Sequence, residues 1–279
     1  MENSFLNSEI HIKDLSQFDP KQILTCGQVF RYYERENSFD IIGKNLICRL
    51  NYHSDHVIIH TNDTERAAAY FDLDTDYNSI KTRLTGIHPV LDEAIRFGHG
   101  IRILNQDPAE MIISFIISAN NNIPRIKGII ERLCERLGEN KNGFFAFPTT
   151  EALASADESF YKSIGAGYRA AYIVKTAKVL ADGLIFERDT PTDRLRAQLM
   201  KLDGVGPKVA DCILLFGLHR TDVFPVDIWT SRVYRSLGLG EESCRKRMAQ
   251  KLVEKFGSLS GYAQQYLYYY YRENKLIFI

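Results

Sequence analysis

The chain has 279 residues, 45% hydrophobic and 25% charged, a composition typical of a folded protein with one large domain or two smaller ones. Its formal net charge is zero, which argues weakly against a nucleic-acid ligand until the charges are located. Residues 1–100 carry 10 Lys and Arg against 15 Asp and Glu, whereas residues 101–279 carry 25 against 20, so the second part is basic and nucleic acid stays a candidate ligand.

The five cysteines are scattered without a C-x-x-C pair, which disfavours a disulfide framework and a metal site held by cysteines. Residues 1–7 lack the basic and apolar segments of a secretion signal. No apolar run approaches the roughly 18 residues that would span a bilayer. We therefore expect a soluble intracellular protein without a targeting signal or a membrane partner.

Residues 8–62 have the pattern of short β-strands. Four β-branched or aromatic runs, at residues 30–33, 39–43, 46–50 and 56–60, are separated by polar clusters. Their spacing predicts an antiparallel meander, followed by a helix from Asp63 to Tyr70. The acidic run at residues 72–76 suits a transition between domains, and we divide the chain into domains 1–86 and 87–279.

From Tyr77 onward the pattern is helical. Residues 109–118 are apolar nearly all round, which predicts a buried helix opened by Asp107 and Pro108. Asn120, Asn121 and Asn122 should end this helix because asparagine tolerates left-handed backbone. An alternative role for one of these amides is to contact a base edge. An amphipathic helix with basic residues on its polar side should follow from Arg125 to Leu137.

A glycine-containing loop at residues 165–169 presents Tyr168 and Arg169 and should open a further helix. A solvated loop end explains this pair, and so does a wedge that enters a stack of bases.

Residues 192–202 and 208–218 read as two helices joined by Gly204, Val205 and Gly206. Pro207 suits the first position of the second helix, whose N-terminal amides can bind a phosphate. Lys208 falls in the first turn of that helix, and Asp227 is the candidate N-cap of a helix through Leu237. An amine and a carboxylate beside a phosphate-binding site suggest chemistry on a nucleic-acid sugar. The simpler explanation is a turn between two helices that carries a surface lysine.

The last predicted helix, residues 259–274, places Gln264, Tyr268 and Tyr271 on one stripe. Such a stripe belongs either to the core or to a pocket.

Taken together, these motifs resemble the 8-oxoguanine DNA glycosylases of the helix–hairpin–helix superfamily. The matching segments span nearly the whole chain in the expected order: residues 26–31, 106–108, 118–123, 165–170, 204–212, 225–227 and 262–264. The resemblance implies an α+β fold, with an N-terminal antiparallel β-sheet domain followed by an all-α helix–hairpin–helix glycosylase domain.

The resemblance implies that Lys208 is the nucleophile and Asp227 the essential carboxylate. A fixed carboxylate stabilises the positive charge that develops on the sugar when the glycosidic bond breaks. A lysine attacks only as the neutral amine, so we expect burial or a cationic neighbour to lower the pKa of Lys208. The enzyme would remove 8-oxoguanine, preferably opposite cytosine, and then nick the strand by β-elimination through a Schiff base.

By the same resemblance, Gly27 distinguishes 8-oxoguanine from guanine through its carbonyl, Gln264 contacts the Watson–Crick edge, and Cys212 and Tyr268 sandwich the ring. Tyr268 departs from the phenylalanine that is common in the family. The hydroxyl adds polarity to the pocket.

The resemblance also assigns Asn120, Arg125 and Arg169 to the orphaned cytosine and Tyr168 to the wedge. Gly204, Val205 and Gly206 would bind a DNA phosphate, and the hairpin carbonyls would be able to hold a cation. By the same resemblance Trp229 would contact a DNA phosphate. It stands where well-known eukaryotic members have a histidine in that role, which indicates a bacterial-type member.

Two alternatives stay open: a helix–hairpin–helix glycosylase for another lesion, and a non-catalytic DNA-binding protein. Glycosylases for adenine or thymine glycol usually carry a four-cysteine iron–sulfur cluster, and here only Cys244 follows Cys212. We expect no required cofactor, no iron–sulfur cluster and no metal bound by side chains. Damaged double-stranded DNA is the expected partner of a monomer in the cytoplasm, associated with the nucleoid.

Overall fold

A five-stranded antiparallel sheet forms the N-terminal part of the molecule. The computed structural model describes residues 6–43, 45–141 and 143–274, and at Ile228, Trp229 and Ser231 it describes the backbone only. The strands are β1 Ser8–Ile12, β2 Tyr32–Arg35, β3 Ser38–Ile42, β4 Ile47–Tyr52 and β5 Val57–Thr61. Their order in the sheet is β1-β5-β4-β3-β2, so the predicted meander is confirmed and β1 is added beside β5.

One face of the sheet is apolar because alternate residues of its central strands point the same way. Phe39 faces Leu50, and Leu50 faces Ile59, across three neighbouring strands. All three side chains are fully buried, together with Phe71 from the helix side. This layer forms the smaller of two hydrophobic cores.

Fourteen helices account for most of the remaining described chain. They are α1 Pro20–Thr25, α2 Thr64–Tyr70, α3 Tyr77–Leu84, α4 Pro89–Phe97, α5 Pro108–Ser118, α6 Ile123–Leu137, α7 Thr150–Ser155, α8 Glu158–Ser163, α9 Arg169–Ala181, α10 Thr192–Leu199, α11 Pro207–Gly217, α12 Ile228–Ser236, α13 Arg245–Phe256 and α14 Ser260–Glu273. A two-residue ribbon, β6 Asn140–Lys141 and β7 Phe144–Phe145, follows α6.

Helix α1 corrects the prediction that residues 8–62 form only strands. Asp19 accepts a hydrogen bond from the Gln22 amide, and Pro20 occupies the first helical position. This N-cap and proline start a helix locally, but six residues are too few to show helical periodicity.

Helix α5 lies at the centre of the larger, helical core. Residues 110–117 are all buried, and α5 packs against α11, α9 and α6. The predicted buried helix, with Asp107 as its N-cap, is therefore confirmed.

The two cores interlock along the chain. From Tyr77 onward most buried apolar side chains belong to the helical core, but Leu104 packs into the sheet core. Conversely, Cys26 and Phe30 from the N-terminal part belong to the helical core. The division after residue 86 stays a prediction, because the chain crosses between the cores more than once.

Candidate active site

The hairpin between α10 and α11 contains two glycines with different structural roles. Gly204 has φ +84°, and a Cβ there would lie 2.9 Å from the Cβ of Tyr172. It therefore has to be glycine both for its backbone and for the close approach of this tyrosine. Gly206 is the N-cap residue of α11, where no side chain caps the first turn. Those amides remain available to an anion such as a DNA phosphate.

The side chain of Val205 points inward and is buried. Of the three hairpin residues predicted to bind phosphate, Val205 can therefore take part only through its backbone. Helix α10 ends at Leu199, three residues earlier than predicted, because a tight turn at residues 200–204 forms the bend.

Lys208 lies in the first turn of α11, half-buried, with its Nζ 5.3 Å from the centre of the Phe115 ring. Asp227 caps α12: its Oδ1 accepts a hydrogen bond from the Thr230 amide at 2.9 Å. The Thr230 hydroxyl in turn accepts from the Asp227 amide, which completes a capping box. Asp227 is near enough to Lys208 to affect its pKa, so the predicted amine and carboxylate do lie close together, each at a helix N-terminus.

The expected lowering of the Lys208 pKa is wrong for the DNA-free protein. Burial acts to lower the pKa of Lys208, but the neighbouring Cys212 and Asp227 act in the other direction and the net effect raises it. Burial raises the pKa of the Cys212 thiol, which Lys208 opposes. A cationic Lys208 is therefore the form that this site favours before DNA binds.

Gly27, Tyr268 and Arg272 meet although they lie at opposite ends of the chain. Gly27 has φ +88°, and a Cβ there would lie 3.1 Å from Cε1 of Tyr268 and 3.0 Å from Nη1 of Arg272. Any side chain at residue 27 would collide with this ring, so only glycine allows Tyr268 and Arg272 to approach the backbone this closely. The predicted contact between the two ends of the chain is present.

Gln264 is 5% exposed, and its side-chain oxygen has no hydrogen-bond partner among the described residues. A buried acceptor without a donor is unfavourable unless a ligand supplies one. Tyr271, on the same stripe of the last helix, belongs instead to the core. It is buried and donates a hydrogen bond to the Ser236 hydroxyl.

The Gly27 loop is held by groups that sequence reasoning missed. Gln28 is fully buried: its amide donates to the carbonyls of Ile23 and Arg102 and accepts from the Leu104 amide. Gln265 donates to the Cys26 carbonyl at 2.9 Å. Neither glutamine carries a sequence signal for burial. The signal for Arg272 was its position one turn beyond Tyr268.

The asparagine triplet ends α5 and starts α6, as predicted. Asn121 donates to the Ile117 carbonyl, and Asn122 caps α6. Asn120 has φ +49° and is exposed. Of the three amides, that of Asn120 is therefore the one placed to contact an approaching base.

Arg169 is buried beneath this loop and not open to solvent. Its guanidinium donates to the carbonyls of Ala119, Asn120 and Ala166. Arg125 is exposed and its Nη2 reaches the Gly165 carbonyl at 3.4 Å. Tyr168 is 57% exposed and stacks on the Arg169 guanidinium at 4.4 Å. These contacts place Asn120, Arg125 and Tyr168 on one surface, with Arg169 buried beneath them.

The predicted phosphate contact of Trp229 lies outside the described side chains. Across the described ranges, no group of three or more His, Cys, Asp and Glu residues is arranged to hold a metal ion. The expectations about cofactors, and about a cation at the hairpin carbonyls, stay predictions.

Two family models match adjoining parts of the chain. The model of the 8-oxoguanine DNA glycosylase N-terminal domain matches residues 10–112, and that of the HhH-GPD superfamily of base excision DNA repair proteins matches residues 113–258.

Named relatives agree with these models. The chain is 35% identical to an N-glycosylase/DNA lyase of Saccharomyces cerevisiae over 61% of its own length and 56% of the relative's. It is 32% identical to a probable N-glycosylase/DNA lyase of Methanothermobacter thermautotrophicus over 76% of each chain. The match thus spans little more than half of the yeast relative.

A solved structure agrees over nearly the full length. The 8-oxoguanine glycosylase/lyase of Clostridium acetobutylicum, solved with double-stranded DNA containing cytosine opposite 8-oxoguanine, is 38% identical with a TM-score of 0.91 over 97% of both chains. The chain belongs to the HhH-GPD superfamily of base excision DNA repair proteins and carries the N-terminal domain of the 8-oxoguanine DNA glycosylases.

Proposed function

We propose that this protein excises 8-oxoguanine from duplex DNA, preferably opposite cytosine, and then nicks the abasic strand by β-elimination. The observation that carries this proposal is the proximity of Asp227 to Lys208 at the starts of α12 and α11, together with the unsatisfied side-chain oxygen of the buried Gln264. An ordinary helical corner would need neither a carboxylate beside the lysine nor an orphaned amide.

The chemistry follows from this pairing. The neutral Lys208 amine attacks C1′ of the sugar, the bond between C1′ and the base breaks, and its electron pair leaves with the base, which takes up a proton. Asp227 stabilises the positive charge on the sugar. Opening of the sugar ring leaves a Schiff base between Nζ and C1′. Loss of a C2′ proton then expels the 3′ phosphate and nicks the strand.

The substrate is inferred from the pocket. Gln264 offers an acceptor, which suits the N–H groups on the Watson–Crick edge of a guanine-type base. Gly27 permits close approach of a base to the backbone. On the surface that also carries Tyr168, the side chains of Asn120 and Arg125 are exposed and can contact the unpaired base of the other strand. Arg169 holds the Asn120 loop in place.

The test is to trap the Schiff base with borohydride on a duplex that contains 8-oxoguanine opposite cytosine. The wild-type protein should form a covalent complex, and Lys208→Gln should form none. Lys201→Gln removes an exposed lysine of the same hairpin and serves as the matched control, which should trap normally.

Trapping by Lys208→Gln at the wild-type rate would refute the assignment of the nucleophile. The same assay over a panel of lesions and opposite bases separates the two alternatives. A preference for another lesion indicates a different glycosylase, and binding without any trapping indicates a non-catalytic protein.

In the described part of the chain, no helix is long and apolar enough to cross a membrane. The monomeric state and the cytoplasmic, nucleoid-associated location stay predictions.

A further inference from the structure

Three buried polar atoms of helix α14 lack hydrogen-bond partners among the described residues: the side-chain oxygen of Gln264, the Tyr266 hydroxyl and Nη1 of Arg272. Gln264 and Arg272 lie on the same stripe of the helix. Tyr268 lies between them, one turn from each. Eight residues of helix separate the two by about 12 Å along the axis. One end of the stripe therefore offers an acceptor and the other a donor.

The Arg272 guanidinium is held firmly in place. Nε donates to Glu273 at 2.9 Å, and Nη2 donates to Glu273 and to the Thr25 carbonyl. Its carbon lies 5.5 Å from the centre of the Tyr268 ring. The side chain is only 16% exposed. These bonds engage two of its nitrogens and leave Nη1 on the side of Gly27.

The chemistry of the substrate suits this arrangement. Tyr268 lies between Gln264 and Arg272 on α14, so a base that stacks on Tyr268 with its Watson–Crick edge at Gln264 can direct its imidazole edge towards Arg272. Guanine carries only a hydrogen on C8, whereas 8-oxoguanine carries a carbonyl oxygen there. A guanidinium N–H can donate a hydrogen bond to that oxygen, whereas the C8–H group of guanine cannot accept one.

We propose that Arg272 is a specificity-determining residue whose Nη1 donates a hydrogen bond to the C8 oxygen of the extruded 8-oxoguanine. This inference rests on the proposed function and adds a contact to the oxygen that defines the lesion. It also accounts for a buried donor that makes no hydrogen bond of normal geometry in the DNA-free protein, where the Tyr268 hydroxyl is the polar group beside the guanidinium.

The experiment compares two duplexes that differ in the group on C8. One carries 8-oxoguanine, with an acceptor, and the other 8-aminoguanine, with a donor, each opposite cytosine. Affinity is measured in a Lys208→Gln background, so that no base is excised, with Arg272, Arg272→Met or Arg272→Lys. The exposed Arg83→Met serves as the matched control.

Arg272→Met should weaken binding of the 8-oxoguanine duplex by roughly tenfold or more, since a bond from a charged donor is lost. It should leave the 8-aminoguanine duplex unchanged, so that the preference between the two falls. Arg272→Lys keeps a donor and should retain part of the preference. Arg83→Met should behave as the parent protein.

An unchanged preference in both Arg272 variants would overturn the proposal. An equal loss on both duplexes would also overturn it, because Arg272 would then only shape the pocket or support the fold. Failure of the proposed function is recognised separately by adding an undamaged duplex with guanine at the same position, because the parent protein with Arg272 intact would then not bind the 8-oxoguanine duplex more tightly than this one.

Discussion

Lys208 is subject to two opposing influences at the start of α11. Burial favours the neutral amine, while Cys212 and Asp227 favour the ammonium and prevail, which raises the pKa of Lys208. Asp227, the carboxylate that we propose to stabilise a cationic sugar, thus also stabilises the unreactive ammonium form of Lys208.

The raised pKa predicts how the rate of Schiff-base formation depends on pH. An amine with a raised pKa becomes neutral only at higher pH, so the rate should rise about tenfold per pH unit while Lys208 is mostly protonated. Cys212→Ser removes a group that raises the pKa of Lys208, and the midpoint of the profile should move to lower pH.

The measurement is single-turnover borohydride trapping across a pH series for both proteins. The midpoint belongs to the Lys208–Cys212 pair, so its shift, and not the maximal rate, is the quantity to compare. A midpoint that stays in place or moves upward in Cys212→Ser would contradict this account.

At the scale of elements, the site is assembled from two helix N-termini of unlike construction. No side chain caps α11, so its amides can receive a phosphate. Helix α12 is capped by Asp227, so the carboxylate that we propose to face the sugar is also a structural cap. The cap orients the carboxylate because one of its oxygens is bonded to the Thr230 amide.

These two duties of Asp227 can be separated. Asn is as good an N-cap as Asp, so Asp227→Asn should leave the free energy of unfolding nearly unchanged. It removes the negative charge, however, and excision should fall by roughly 100-fold or more. Urea unfolding and single-turnover excision measure the two effects.

Thr230→Val is the matched control, since it removes the hydroxyl of the capping box but keeps the carboxylate. It should lower the free energy of unfolding by about 1 kcal/mol and reduce excision much less. Wild-type excision by Asp227→Asn would show that the charge has no part in the reaction.

At the scale of the whole molecule, Gly27, from the N-terminal part of the chain, lies against Tyr268 and Arg272 of α14. Gln28 forms the junction, bonded to residues 23, 102 and 104, and its carbonyl accepts from Gln106. Gln265 extends the junction to α14. The position of Gly27 relative to Tyr268 therefore depends on how the two cores are joined.

Replacement of Gln28 by leucine tests this junction. Two backbone carbonyls and one backbone amide would lose their buried partners, so the free energy of unfolding should fall by about 3 kcal/mol or more. Gln250→Leu, an exposed substitution on α13, should change stability little. Urea unfolding measures the free energy of unfolding of both variants. Equal stability of the two would contradict the role of Gln28 in the junction.

The sequence by itself determined the features that depend on neighbouring residues. The strand runs, the buried helix behind Asp107 and Pro108, the stop at the asparagine triplet and the positions of Lys208 and Asp227 on helix N-termini all follow from local periodicity and capping. Helix α1 was missed because six residues carry too little periodicity, even with a cap.

Only the tertiary structure decided what depends on residues far apart in the chain. The burial of Gln28, the contact of Gly27 with Arg272 and the fixing of the Asn120 loop by Arg169 have no local signature. The direction of the Lys208 pKa shift likewise results from opposing effects of burial and charge, which exist only once Cys212, Asp227 and Lys208 share one site.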